Sequence, residues 1–398
     1  MEEESPAVTA RRGLQFRLFY LLAFVFIGAY GNFFPLWLRH RSWTEPDIGW
    51  LEGGHYGALV IFPLIWGRVV DRRGDAVWVL RWICLGSMLA FIPGIIAPSV
   101  ALMMAAFVLF YVFRVGLVPV LDAATLVHVR GAGEQYGRYR IWGSVGFIVG
   151  GFVLGYLVSL FSISITPWPL VVALGMVVLL TFWMKPRADK QLSPGSVGSP
   201  WSLLRRPGLR AFYGIQIASR LSLQGVYLFL PLHLKDLGVE EGWIPAYWTL
   251  GVVSEIFLIR NAEKIFGRWQ PRTVIALCFA AAALQYALTA WVRSPLVLLG
   301  VMTLHGMSFG IWYITSIGWL DDHVPRELAA SAQALFQSLG FGVGGMISSV
   351  SAGYIFYAWS GSGLFAAAAV GCVLTLGLHL LLFPRGERLP EGNSRRTV

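Results

Sequence analysis

Residues 144–151 read SVGFIVGG, and residues 338–345 read SLGFGVGG, an offset of 194. A second pair stands at an offset of 196: FPLWL at 34–38 and LPLHL at 230–234. The same offset pairs Ile48 with Ile244 and Arg72 with Arg268. Two glycine-rich apolar helices can look alike once by composition alone. Two matches at nearly equal offsets, in corresponding segments, mark a duplicated half. The chain therefore reads as two copies of one unit in series.

The nature of that unit follows from composition. Only 13% of the 398 residues are charged and 56% are hydrophobic, with a mean hydropathy of +0.64. Soluble domains carry about 25% charged residues, so most segments here do not face water. A membrane-crossing helix needs ~20 mostly apolar residues. Twelve stretches meet that need: 17–38, 47–69, 76–96, 99–127, 139–161, 167–184, 209–234, 243–263, 273–291, 295–319, 328–356 and 362–383. They are continuous apolar runs, not the short alternating segments of a barrel, and in lipid a helix satisfies its own backbone. The expected fold class is an all-α membrane protein of twelve transmembrane helices in two pseudo-symmetric six-helix bundles. Duplication of this kind is expected where a solute site lies between halves near the bilayer midplane.

The polar stretch from Lys185 to Arg206 is rich in Pro, Gly and Ser and divides the spans six and six. The expected organisation is a cytoplasmic N-terminus at 1–16, a bundle at 17–184, a linker at 185–208, a bundle at 209–383 and a tail at 384–398. The net charge of +10 could indicate nucleic acid, but topology explains it better. With both termini inside, most Lys and Arg fall on cytoplasmic segments or their edges, as the positive-inside rule requires. Arg39, Arg41, Lys235 and Arg293 fall outside, and Arg114 and Arg220 are mid-span. The first span is too long for a signal h-region and lacks a cleavage signature, so an uncleaved anchor is expected. Cys84, Cys278 and Cys372 lie within spans and read as small core residues.

Charges inside spans cost several kcal/mol and normally face a cavity or a partner. The first half carries Glu52 and His55 on one helix face, Arg114 and Asp122 in span 4, and Arg140 at the start of span 5. The second half carries Arg220, Glu255 and His305. Each could instead be a structural ion pair or an edge residue reaching for water. Arg114, Arg220 and Glu255 have no water edge to reach. Gly143, Gly146 and Gly150, with Gly340, Gly342 and Gly344, read as packing faces between helices.

The loop after span 2 reads Gly67-Arg68-Val69-Val70-Asp71-Arg72-Arg73-Gly74. It resembles the major facilitator signature G-x-x-x-D-[RK]-x-G, with Gly67, Asp71, Arg72 and Gly74 at the motif positions. The resemblance implies a cytoplasmic gating loop braced by charge pairing and by capping a neighbouring helix. The cognate stretch from Glu263 to Arg268 is degraded. LVPVLDAA and YGRYRIWGSVGF, within 117–147, resemble spans 4 and 5 of the branch of bacterial phenylpropionate and lactose permeases, with related nucleoside and oligosaccharide symporters. The resemblance implies that Asp122 and Arg140 hold the solute and that Phe147 stacks on it. Tyr30-Gly31-Asn32-Phe33-Phe34-Pro35, Leu250 to Glu255 and Thr303-Leu304-His305 resemble further stretches of that branch. Two departures stand out: Gln285 and Ser308 occupy the places of the lactose permease's coupling arginine and proton-carrying glutamate.

These readings imply a proton-coupled importer of the bacterial inner membrane working by alternating access. The expected solute contacts are Asp122, Arg140, Phe147, Arg114, Arg220 and Tyr30. The expected proton-coupling groups are Glu255, His305, Asp122, Glu52 and His55. Three arginines with aromatics favour a small organic anion such as an aromatic carboxylate; a sugar or nucleoside is the near alternative. A sensor or scaffold that kept the fold without transport is a different class. No HExxH, GxSxG, phosphate loop or metal cluster points to an enzyme. The expected partners are the solute, protons and the lipid bilayer, with no cofactor, no nucleic acid and a monomeric state.

Overall fold

The computed structural model describes residues 6–132, 134–184, 200–325 and 328–383. No strand occurs among the described residues. In the first half α1 (Pro6–His40), α2 (Glu45–Arg73), α3 (Ala76–Ile96), α4 (Val100–Arg114), α5 (Leu117–Ala132), α6 (Gly137–Phe161) and α7 (Pro167–Trp183) follow one another. In the second come α8 (Pro207–Asp236), α9 (Ile244–Arg260), the short α10 (Ala262–Phe266) and α11 (Pro271–Trp291). A composite rod then joins α12 (Pro295–Val301), a π-helical segment Gly306–Ile311 and α13 (Trp312–His323). The last stretch runs through α14 (Ala329–Phe336), a π-helical segment Gln337–Gly344 and α15 (Gly345–Leu382).

By length and composition ten helices among the described residues could cross a membrane, fewer than the twelve expected. The difference has two physical sources. The stretch Ser331–Leu382 is 52 residues long, but Trp359 and Ser360 leave helical geometry, with φ +61° at Ser360. This break falls between the expected spans 328–356 and 362–383. Helix α8 is 30 residues long but polar, carrying Gln216, Arg220, Gln224 and His233 as buried residues. Span 4, expected at 99–127, is interrupted. Pro119 has no N–H for the carbonyl of Val115, and the helix stops at Arg114 and restarts at Leu117.

Helix α1 begins at Pro6, well before the expected start at 17, and Gln15 donates to the carbonyl of Trp183 at 3.0 Å. The expected linker falls outside the described residues up to 199; Pro200–Arg205 forms a 3-10 turn, and Pro207 opens α8. The tail at 384–398 lies outside the described residues.

Glycines set the closest approach. A Cβ at Gly150 would sit 2.0 Å from the carbonyl oxygen of Val25, and one at Gly146 2.2 Å from that of Leu21, so α6 lies backbone to backbone on α1. The repeat also survives in three dimensions. Arg39 pairs with Glu45 at 3.9 Å, and Lys235 pairs with Glu241, two ion pairs related by the offset of 196. Pro35 of α1 and Pro231 of α8 bear the same relation.

Contacts between the halves gather toward one end. Arg39 meets Asp236 at 2.5 Å, and Trp50 donates to the Tyr354 hydroxyl at 3.2 Å. A Cβ on Gly49 would lie 2.6 Å from the Ser349 carbonyl, so α2 and α15 touch closely there. Further along, Gln224 donates to Tyr56 at 2.7 Å and Ser338 to the Val60 carbonyl at 3.5 Å.

Candidate functional site

A cavity of about 470 Å³ lies between the halves. The first half contributes Tyr30, Glu52, His55, Arg114 and Phe147 to its wall, and the second contributes Gln224, Tyr227, Trp248, Glu255, His305 and Phe309. Its volume falls within the range of small-molecule sites, and its wall has their character, mostly apolar with a few convergent polar groups.

Glu52 is buried and held by two phenols. Tyr30 and Tyr111 donate to its Oε1 at 2.7 and 2.8 Å, and their own hydroxyls are 2.7 Å apart. Tyr30 is fixed in turn by stacking on Phe34, with ring centroids 4.3 Å apart. Hydrogen bonds to an ionised group are the stronger kind, so this cluster can stabilise a carboxylate within an apolar wall. Arg114 ends α4, where the helix dipole favours a cation. Its guanidinium rests over Phe26 and Tyr30 at 5.6 and 5.7 Å and makes no hydrogen bond or ion pair with the described residues. Glu52 in the same wall lies within electrostatic reach, yet a cation over ring faces, facing a cavity and tied into no ion pair, is suited to receive an anion.

On the opposite wall Glu255 stands where Gly310 leaves room, since a Cβ there would lie 2.5 Å from its Cγ. His305 stacks face to face on Phe309, with centroids 5.5 Å apart and planes 2° apart, and meets Tyr227 and Trp248 edge-on. Behind this wall Ser308 donates to Gln285 at 2.7 Å. The two residues that depart from the lactose permease pattern are thus bonded to each other as a neutral pair.

Three expected residues do not line the cavity. Asp122 accepts from the Tyr20 hydroxyl at 2.5 Å, and Arg140 packs over Phe24 at 4.4 Å and Tyr20 at 5.8 Å. Tyr20 therefore stands between them, and they form no direct ion pair. Ten residues along α1 separate Tyr20 from Tyr30, about 15 Å at the rise of an α-helix, yet the Arg140 charge still bears on Glu255 in the cavity wall. Outside the spans, burial and then the Asp122 charge push the Tyr136 phenol up to about 12, so it stays protonated at neutral pH. Arg220 is fully buried behind the cavity wall.

The signature loop is only partly engaged. Gly74 takes φ +68° and closes α2, its N–H bonding the Val70 carbonyl, and Asp75 caps α3 through the Trp78 N–H at 2.9 Å. Gly67 lies within α2 beside open space, where an added Cβ would meet nothing within 4 Å. Asp71 and Arg72 are exposed and make no ion pair with the described residues. No group of three or more potential metal ligands occurs among the described residues.

Tyr56, Gln224, Tyr227, Trp248, Phe309, Phe341 and the Tyr111 donor are site residues that sequence reasoning missed. Neutral aromatics and an amide within apolar runs carry no signal that separates a cavity wall from lipid-facing or packed positions.

Residues 14–367 match the family model described as the MFS_1 like family. The chain belongs to that family. It is 26% identical to the "Probable 3-phenylpropionic acid transporter" of Escherichia coli, over 91% of this chain and 96% of the relative. The maltose permease of Geobacillus stearothermophilus is 24% identical, over 95% and 96% of the two chains. The crystal structure of the nucleoside transporter NupG superposes with a TM-score of 0.84 at 18% identity, covering 94% of this chain and 99% of that one. This family member is thus a multi-pass transporter of the inner membrane with the major facilitator fold, and its class is that of secondary transporters of small solutes.

Proposed function

We propose that the chain is a proton-coupled symporter of a small aromatic carboxylate, working by alternating access. It crosses the membrane twelve times with both termini inside. Its bundles are 17–184 and 209–383, it acts as a monomer, and the Gly67–Gly74 loop belongs to the cytoplasmic gate. The observation that supports this reading most is Arg114, a cation in no ion pair or hydrogen bond with the described residues, facing an aromatic-lined cavity that also holds two carboxylates. Arg114 receives the solute's carboxylate, and Phe147, Trp248 and Phe309 supply flat apolar surface for its ring. Glu52 and Glu255 are the acids that exchange protons as the cavity opens to one side and then the other, with His55 and His305 beside them. Asp122 and Arg140, bridged by Tyr20, form a polar station on the path between cavity and cytoplasm.

A proton cycle requires a carboxylate whose proton affinity depends on which mouth is open. Both glutamates stand in a cavity shared by two moving halves, which meets that need. The 26% identity with the phenylpropionic acid transporter relative agrees with the solute class. A nucleoside is the second reading, favoured by the amide of Gln224 beside stacked rings in the same cavity. The deciding experiment is uptake of labelled 3-phenylpropionate, uridine and a galactoside into vesicles, with and without an inward proton gradient. Gradient-driven accumulation of phenylpropionate alone is the expected result. Accumulation of uridine instead would replace the solute; accumulation of none of the three would defeat the reading.

A further inference from the structure

Arg220 is a buried cation whose donors are unmade. It is fully buried on α8, and its Nε, Nη1 and Nη2 all lack hydrogen-bond partners. A buried guanidinium is normally held by a carboxylate or by backbone oxygens, because leaving its donors unmade forfeits their hydration with nothing in return. The ionisable groups that bear most on it are Tyr227, Tyr286, Cys372 and Tyr56, and none is a carboxylate. What holds it instead is aromatic: Trp312 at 4.0 Å, Phe341 at 4.8 Å and Phe309 at 5.6 Å from ring centroid to guanidinium carbon.

Two of those rings face both ways. Phe309 and Phe341 also line the solute cavity, so a single layer of aromatic rings separates Arg220 from it. Both rings ride on π-helical segments, Gly306–Ile311 and Gln337–Gly344. Such segments carry an extra residue per turn and occur often at functional sites. Tightening one to α geometry turns the ring about the helix axis, by about 100° per residue of register. The second segment lies directly on the Arg220 stem, since a Cβ on Gly344 would lie 2.9 Å from the Arg220 Cβ.

We infer that Arg220 is a second carboxylate station, closed from the cavity by Phe309 and Phe341 and opened when either π-helical segment changes register. The solute's carboxylate meets Arg114 first and reaches Arg220 after the ring layer parts. The unmade hydrogen bonds of Arg220 are then completed by the cargo, so occupancy favours the rearranged state. This inference rests on the carboxylate reading of the cavity.

The test uses the full-length protein in proteoliposomes and phenylglyoxal, a reagent that adds to guanidinium groups. Peptide mass spectrometry reports Arg220 separately from Arg114, and benzoate and benzamide serve as charged and neutral probes. Labelling of Arg220 is expected to rise about tenfold in Phe309→Ala and in Phe341→Ala, with two variants guarding against misfolding of one. Benzoate is expected to slow that labelling and benzamide to leave it unchanged. Labelling unchanged in both variants, or slowed equally by the two probes, would overturn the station. Vesicle uptake separates the two ideas. Protection by benzoate without carboxylate uptake would sink the transport reading alone, and uptake without protection would sink the station alone.

Discussion

Arg114 owes its availability to a helix break. Pro119 ends the hydrogen-bond ladder, α4 stops at Arg114, and the side chain lies over Phe26 and Tyr30 in no ion pair with the described residues. If it receives the solute's anion, Arg114→Gln removes an interaction on the order of 2 kcal/mol or more. Carboxylate uptake should then fall about thirtyfold or further while folding, followed by thermal unfolding, stays near wild type; Arg114→Lys should retain part of the activity. The two glutamates can be told apart in the same assay. Glu52 is tied to Tyr30 and Tyr111, whereas Glu255 makes no hydrogen bond with the described residues and has room at Gly310. For the coupling acid, change to Gln should abolish gradient-driven accumulation but spare counterflow. If neither E52Q nor E255Q separates the two activities, proton coupling lies elsewhere. At this scale the sequence is informative where charge is expensive. Tyr30, Glu52, His55, Arg114, Phe147, Glu255 and His305 all line the cavity. It is uninformative about depth, since nothing in residue type distinguishes Arg220, behind the rings, from Arg114, in front of them.

At the scale of the helices, α1 and α6 approach through glycine. A methyl group at Gly150 would overlap the Val25 carbonyl at 2.0 Å, and overpacking of this kind costs typically ~1–3 kcal/mol. Gly150→Ala should lower the melting temperature in detergent; an unchanged value would mean that the two helices separate freely. The apolar runs make these helices legible, because twenty residues without charge leave few other folds in lipid. The repeat of SVGFIVGG is legible as well, yet its two copies differ in form. The first lies within the regular helix α6, while most of the second is π-helical and packs against Arg220. That difference depends on what each copy packs against, which sequence similarity does not carry. The break at Trp359 and Ser360 is expected as a boundary between spans, whereas the interruption at residues 115–116 is not.

The two halves of the molecule meet through Arg39 and Asp236, at the end where the related pairs Arg39–Glu45 and Lys235–Glu241 also stand. An exposed pair contributes about 0–1 kcal/mol, enough to bias an equilibrium between two openings without locking it. Asp236→Asn should therefore raise labelling of a cysteine placed at Gln224 by an impermeant maleimide, up to about fivefold, and high salt should do the same to the parent protein. Alternating access demands that closure at one end accompany opening at the other. Spin labels at positions 72 and 268 report the signature-loop end, and labels at positions 41 and 240 report the Arg39–Asp236 end. On adding 3-phenylpropionate under an acid outer pH, the first distance should shorten as the second lengthens. Two distances that stay fixed while solute binds would contradict transport by rocking halves.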